Sequence, residues 1–206
     1  MFITFEGGEG SGKSTAIRKI VSELEKEGYE VVLTREPGGT PISEEIRNVI
    51  LDKKNTDMDP RTEALLYAAS RRQHIVQKIL PALKEGKIVI CDRYLDSSLA
   101  YQGGARGLGI DNVLAMNLFA TEGLEPDLTL LFDIKPEVGL ARIAANSGRE
   151  VNRLDVEKLS FHNQVRAAFQ ELAKRFPKRY FTIDASQSPE AVYQAAYNEI
   201  KARLKS

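Results

Sequence analysis

Residues 7–14 read Gly7-Gly8-Glu9-Gly10-Ser11-Gly12-Lys13-Ser14, with Thr15 directly after. They stand between an apolar run, residues 1–5, and a segment in which Ile17, Ile20, Val21 and Leu24 recur at i, i+3, i+4 and i+7. The run has the character of a buried strand and the segment that of an amphipathic helix. The eight residues fit G-x-x-x-x-G-K-[ST], and a strand before with a helix after is the setting that gives this pattern its meaning. Glycines let backbone N–H groups converge on phosphate oxygens without side-chain clashes. The helix N-terminus adds partial positive charge at the same place. Lys13 is placed to reach the β- and γ-phosphates of a nucleoside triphosphate, and the Ser14 hydroxyl to ligate Mg²⁺. The motif speaks for triphosphate binding and says little about the use made of it.

Four more apolar runs, residues 30–34, 87–91, 128–132 and 179–183, are rich in Val, Ile, Leu and Phe without strict alternation. Strands covered on both faces read this way. Helical patterns lie between them: Phe161, Val165, Phe169, Leu172 and Phe176 form one, and Val192, Ala196, Ile200 and Leu204 another. Alternating strands and helices predict an α/β fold, a five-stranded parallel sheet with helices on both faces, as one domain over residues 1–206. Two polar stretches, residues 52–60 (DKKNTDMDP) and 146–152 (NSGREVN), read as surface loops.

Lys+Arg and Asp+Glu balance at 29 each, so no overall field favours a nucleic-acid duplex or an anionic membrane. Any anionic ligand must be held by local charge. The single cysteine, Cys91, excludes an intrachain disulfide framework and a Cys-based zinc cluster, and within an apolar strand it reads as an inert buried thiol. The apolar start, residues 1–5, is too short for a signal peptide or a membrane span, which predicts a cytoplasmic protein. His74 and His162 fall on helical patterns far apart, where surface or core roles outrank metal ligation.

The chain has no N-K-x-D motif for guanine, and Gly8 stands where a partitioning-type ATPase usually carries a second lysine. In open parallel sheets, ligands bind beyond the carboxyl ends of the strands. Thr34-Arg35-Glu36-Pro37-Gly38-Gly39 and Asp92-Arg93-Tyr94 follow the second and third strands, at that edge. T-R-E-P-G-G, then E-A-L-L-Y-A-A-S-R-R (residues 63–72), then D-R-Y-L-D-S-S-L-A-Y-Q-G (residues 92–103) resemble the thymidylate kinase family, particularly its bacterial branch. The similarity extends through the loop ending Asn152-Arg153-Leu154-Asp155 and covers most of the chain. Other readings stay open: another nucleotide or deoxynucleoside kinase of this architecture, or a P-loop regulator that hydrolyses ATP slowly.

The resemblance implies transfer of the γ-phosphoryl of ATP to dTMP, with Mg²⁺ as cofactor and a homodimeric assembly. Tyr67 and Arg71, four apart on one helix face, correspond to the residues that stack on thymine and hydrogen-bond to it. The family usually has Phe where this chain has Tyr67, so an extra hydroxyl needs water or a partner. Arg47 and Arg93 correspond to the clamp on the dTMP phosphate, a task suited to a planar fork of donors. Ser98 and Gln102 correspond to polar contacts along the thymine edge, and Tyr101 packs where a ribose 2′-hydroxyl would clash. Glu9 is expected to point toward the 3′ side of the sugar, offset by a neighbouring arginine such as Arg93. Glu36 and Asp92 are expected to organise the arginines and the water on Mg²⁺, with Asp92 beside Ser14 at the metal. One branch of the family has a basic residue inside the phosphate loop; Gly10 occupies that position here. The resemblance is therefore to the branch with arginines on a lid, at about 142–153. Arg153 is the first candidate and Arg149 the second for neutralising the transferring phosphoryl, and Arg142 is expected along the adenine face. Helices over 61–83 and 151–176 carry enough apolar residues to build an interface.

Overall fold

The computed structural model describes residues 1–145 and 157–205. Five strands, β1 (Phe2–Glu6), β2 (Val31–Arg35), β3 (Ile88–Asp92), β4 (Leu128–Asp133) and β5 (Tyr180–Asp184), form one parallel sheet in the order β2-β3-β1-β4-β5. Each expected strand is present, displaced by about one residue toward its carboxyl end. The charged residues Glu6, Arg35, Asp92, Asp133 and Asp184 thus close the strands. An apolar pattern sees burial, whereas a parallel ladder continues for as long as backbone partners remain.

Along β1 the pleat sends Phe2 and Thr4 to one face and Ile3 and Phe5 to the other. Ile3 and Phe5 meet Ile17, Ile20 and Leu24 of α1 (Lys13–Lys26) and Val192, Ala196 and Ile200 of α9 (Pro189–Leu204). Phe2, with Val89, Cys91 and Leu131, faces the other layer. That layer includes α3 (Pro60–His74), a π-helical turn (Ile75–Ile79), α4 (Leu80–Lys84), α5 (Leu95–Ser98), a second π-helical segment (Leu99–Ala105), α6 (Ile110–Thr121) and α8 (Leu159–Arg175). The two apolar layers confirm a sheet covered on both faces, which is why its strands do not alternate.

The helix expected over 61–83 is therefore α3, the π-helical turn and α4 in succession. It begins at Pro60 because Asp59 caps it, accepting from the Arg61 and Thr62 amides. The helix expected over 151–176 begins at Leu159, since residues 157 and 158 are not helical. Residues 151–156 lie outside the described ones. Among the described residues, α2 (Pro41–Leu51) and α7 (Pro136–Ala144) follow β2 and β4.

The order has β1 at its centre, with the chain stepping out to β2 and β3 on one side and to β4 and β5 on the other. The loop after β1 consequently sits at the point where the strand order reverses, the place where such sheets open a crevice.

Candidate functional site

A crevice of about 810 Å³ opens there. Its floor is the phosphate loop. Gly7, Gly10 and Gly12 have φ of 136°, 67° and 85°, and Gly12 directly precedes α1. Gly10 is held by packing as well as by conformation. A Cβ on it would lie 2.0 Å from the carbonyl oxygen of Gly139 on α7, and one on Gly139 would lie 2.2 Å from the Glu9 carbonyl. A side chain of any kind at position 10, the basic one of the other family branch included, collides with α7.

Lys13 bends back over the loop, its ammonium donating to Gly7 O (2.8 Å), Gly8 O (3.0 Å) and Ser11 Oγ (3.1 Å). Burial, and then the Arg93 guanidinium, push its pKa down to about 8. The Ser14 hydroxyl donates to Asp92 Oδ2 at 3.3 Å, so the loop and the end of β3 meet.

Arg93 follows Asp92 with φ of 68°, an uncommon conformation for a residue with a side chain. Its surroundings fix it there: its amide donates to Phe5 O, the Cys91 thiol to its carbonyl, and the Tyr94 amide to Glu6 Oε1. Its side chain donates to Gly7 O (2.9 Å) and to Glu9 Oε1 (2.6 Å). Glu9 Oε1 also accepts from the Tyr101 hydroxyl at 3.0 Å. Burial works against the charge on Arg93, but Tyr101, Glu9, Asp92 and Glu6 outweigh it and raise its pKa above the ordinary arginine value.

Glu6, behind the crevice and bonded to Tyr94 and Ser97 of its lining, is a residue that sequence reasoning passed over. It is fully buried and accepts from the Tyr94 amide, the Ser97 amide and the Ser97 hydroxyl. Burial and the neighbouring Asp96 raise its pKa to about 8. An acid ending an apolar strand immediately before the glycines was the available signal.

At the other end of the crevice, Tyr67 and Arg71 do share one face of α3. Arg71 is 1% exposed, and all five of its N–H donors have protein acceptors. Nε bonds to Glu36 Oε2 (2.8 Å), Nη1 to Asn117 Oδ1 (2.5 Å) and Ser98 Oγ (3.1 Å), and Nη2 to Tyr94 O (2.9 Å) and Ser98 Oγ (3.1 Å). Ser98 thus faces the guanidinium as a double acceptor. Glu36 thus holds the Arg71 guanidinium and also meets His74 Nδ1 at 3.0 Å, while His74 Nε2 meets Thr34 Oγ1 at 2.7 Å. Gln102 donates from Nε2 to Glu63 Oε1 at 2.9 Å. Arg47 donates to Pro37 O (3.0 Å), beyond the cis Glu36–Pro37 peptide. Arg142 lines the far side of the crevice and donates to Ala185 O (3.0 Å).

Residues 9–15, Glu36, Arg47, Tyr67, Arg71, Asp92, Arg93, Ser98, Tyr101, Gln102 and Arg142 therefore line one crevice, and Gly7 stands behind it, its carbonyl accepting from Lys13 and Arg93. Arg149 and Arg153 lie outside the described residues. Among the described residues, the grouping with metal-ligand atoms close together is Glu36, His74 and Cys91. Both nitrogens of that histidine are hydrogen-bonded, and burial holds the Cys91 thiol well above its ordinary pKa, in the protonated form that metals do not favour. It is a core network.

A glycine-rich phosphate loop between β1 and α1, at the reversal point of a parallel sheet, defines the P-loop nucleoside triphosphatase fold; the second, arginine-lined half of the crevice marks a phosphotransferase. The profile of the family described as "Thymidylate kinase" matches residues 5–196. The thymidylate kinase of Bacillus velezensis is 58% identical over 205 residues, spanning 100% of this chain and 97% of that protein. That of Clostridium novyi is 56% identical over 204 residues, 99% and 98% of the two chains. A crystal structure of thymidylate kinase from Ehrlichia chaffeensis superposes with a TM-score of 0.77 at 34% identity, covering 98% of each chain. The chain belongs to the thymidylate kinase family.

Proposed function

We propose that the crevice seats two phosphorylated nucleotides end to end, with ATP on the phosphate loop and dTMP toward α3 and residues 98–102. The γ-phosphoryl passes to dTMP, giving dTDP for dTTP synthesis. One observation carries this reading: Lys13 and Arg93, one from each half of the crevice, donate to the same oxygen, Gly7 O. Two cations converging on one carbonyl mark the place where two anions can be brought together.

The dTMP phosphate is itself the nucleophile and is mostly dianionic near neutrality, its second pKa being about 6. No general base is needed. The obstacle is repulsion between anions, and Lys13 and Arg93 oppose it while fixing the line of attack. Arg47, on the rim by Pro37, completes the clamp on the dTMP phosphate. Glu9 holds Arg93 in place and stands near the sugar with Tyr101. Tyr67 stacks on the base, and its hydroxyl is the departure from the usual family residue. For Arg71 to reach the base, it gives up one of its two contacts to Ser98. Ser14 and Asp92 present hard oxygen donors, the kind Mg²⁺ takes, and the bound ion would neutralise phosphate charge. Arg142 lies along the adenine side. The transfer arginines implied by the family resemblance, Arg153 and then Arg149, lie outside the described residues.

The chain works as one domain and as a homodimer in the cytoplasm. Large apolar side chains stand exposed on α3 (Leu65) and α6 (Leu118 and Phe119), Phe119 at 91% exposure. These favour α3 and α6 as the covered faces more than α8. Sedimentation should give a dimer, and Phe119→Glu a monomer. Among the described residues no helix is long and apolar enough to cross a membrane.

A coupled assay of ADP formation with dTMP, dUMP, dCMP, dGMP and thymidine tests the reading. dTMP should be the best substrate; equal turnover of dCMP or dGMP refutes it, and phosphorylation of thymidine would point to a deoxynucleoside kinase. Arg93→Ala should abolish dTMP turnover while ATP still binds.

A further inference from the structure

We infer that Glu63 sets the hydrogen-bonding polarity with which the crevice reads the pyrimidine, acting through Gln102. The inference rests on the reading of the crevice as a dTMP site. Glu63, Tyr67 and Arg71 stand at i, i+4 and i+8 on α3, so the carboxylate lies one turn from the base-facing pair. It is 1% exposed and does not line the crevice, but it touches a residue that does. Its Oε1 accepts from Gln102 Nε2 at 2.9 Å and from Arg106 Nε at 3.3 Å.

A carboxylate salt-bridged to a guanidinium can only accept hydrogen bonds, whereas a carboxamide has a donor end and an acceptor end. Glu63 therefore draws the nitrogen of Gln102 toward itself and leaves the carbonyl oxygen for the crevice. An acceptor there fits the N3–H of thymine. It opposes cytosine, whose N3 carries a lone pair. Leaving a buried polar group facing a group of its own kind costs far more than a missing methyl group, so the amide's orientation is a specificity device. Among the described residues Glu63 is the hydrogen-bond partner of that amide, so its removal frees the amide to take either orientation. Uracil also carries N3–H, so Glu63 separates thymine from cytosine and does not separate it from uracil. Glu63 is a positioning residue: it acts on the base through Gln102.

The test is the ratio of kcat/KM for dTMP to that for dCMP in Glu63→Gln, whose amide can donate as well as accept and so permits Gln102 to turn over. The ratio should fall at least about tenfold. The ratio of dTMP to dUMP and the KM for ATP should hold. A folded variant with an unchanged dTMP:dCMP ratio overturns the inference, as does an equal loss of preference against dUMP, which would indicate general loosening. Glu63→Asp keeps an acceptor-only group and should retain the preference. If Glu63→Gln does not fold, the wild-type enzyme decides with the 3-deaza analogue of dTMP, in which C–H replaces N3–H. Turnover should be at least about tenfold less efficient than with dTMP. Equal efficiency would mean that no acceptor meets that position. A wild type that does not prefer dTMP at all would instead refute the site reading itself.

Discussion

Raising the pH should weaken ATP binding through Lys13 and make binding take up a proton. The buried ammonium, next to Arg93, has its pKa lowered to about 8, and it is a cation that the triphosphate needs charged. A group with that pKa is about 90% protonated near pH 7, about a quarter protonated near pH 8.5 and about a tenth protonated near pH 9. A phosphate beside it restores the charged form. ATP binding should therefore take up about 0.1 proton near pH 7 and about three quarters of a proton near pH 8.5. If only the protonated form is competent, affinity should fall about tenfold from pH 7 to 9, about 1.4 kcal/mol. Titration calorimetry of ATP in buffers of different ionisation enthalpy measures the uptake directly. Lys13→Arg is the control, because arginine stays charged throughout and should show no such uptake while Glu6 is unaltered. Equal proton uptake in the two proteins, or none in the wild type near pH 8.5, would refute the assignment of this titration to Lys13.

Glu6 titrates with the opposite consequence for stability. Its folded pKa of about 8 lies above its unfolded value, so the native state holds a proton that the unfolded chain has lost, and stability falls as pH rises between them. Glu6→Gln should remove a slope of about 1.4 kcal/mol per pH unit between roughly pH 5.5 and 7.5, seen by comparing urea unfolding of the two proteins. Gly10→Ala places a Cβ 2.0 Å from Gly139 O at a positive φ, and should lower stability by about 1–3 kcal/mol in thermal or urea unfolding. Arg179 meets Asp96 through two bonds of 2.6 and 2.8 Å within the core. Arg179→Met leaves that carboxylate buried and unpaired, and should cost about 3–5 kcal/mol by the same measurement.

The phosphate loop, the five strands and the α/β class were legible in the residues because each depends on neighbours in sequence. Glycines supply local conformational freedom, and hydrophobic periodicity records which face of a short segment is buried. The pairing of Tyr67 with Arg71 was legible for the same reason, being set by the turn of a single helix. The arginine beside Glu9 could be anticipated because a carboxylate within a phosphate loop requires a compensating charge.

Other features depended on contacts across the chain. Nothing near position 71 in sequence signals that Glu36, Tyr94, Ser98 and Asn117 together take every donor of Arg71. Nothing near Gly10 announces Gly139, and nothing near Gln102 announces Glu63. Sequence patterns report which residue types can do a job and which segments bury an apolar face. The direction of a hydrogen bond between residues dozens of positions apart is decided only when folding removes water from both, and unpaired polar groups become costly. The sequence by itself thus determined the fold and the phosphate-loop motif, while the tertiary structure alone decided how the crevice holds and orients the side chains around it.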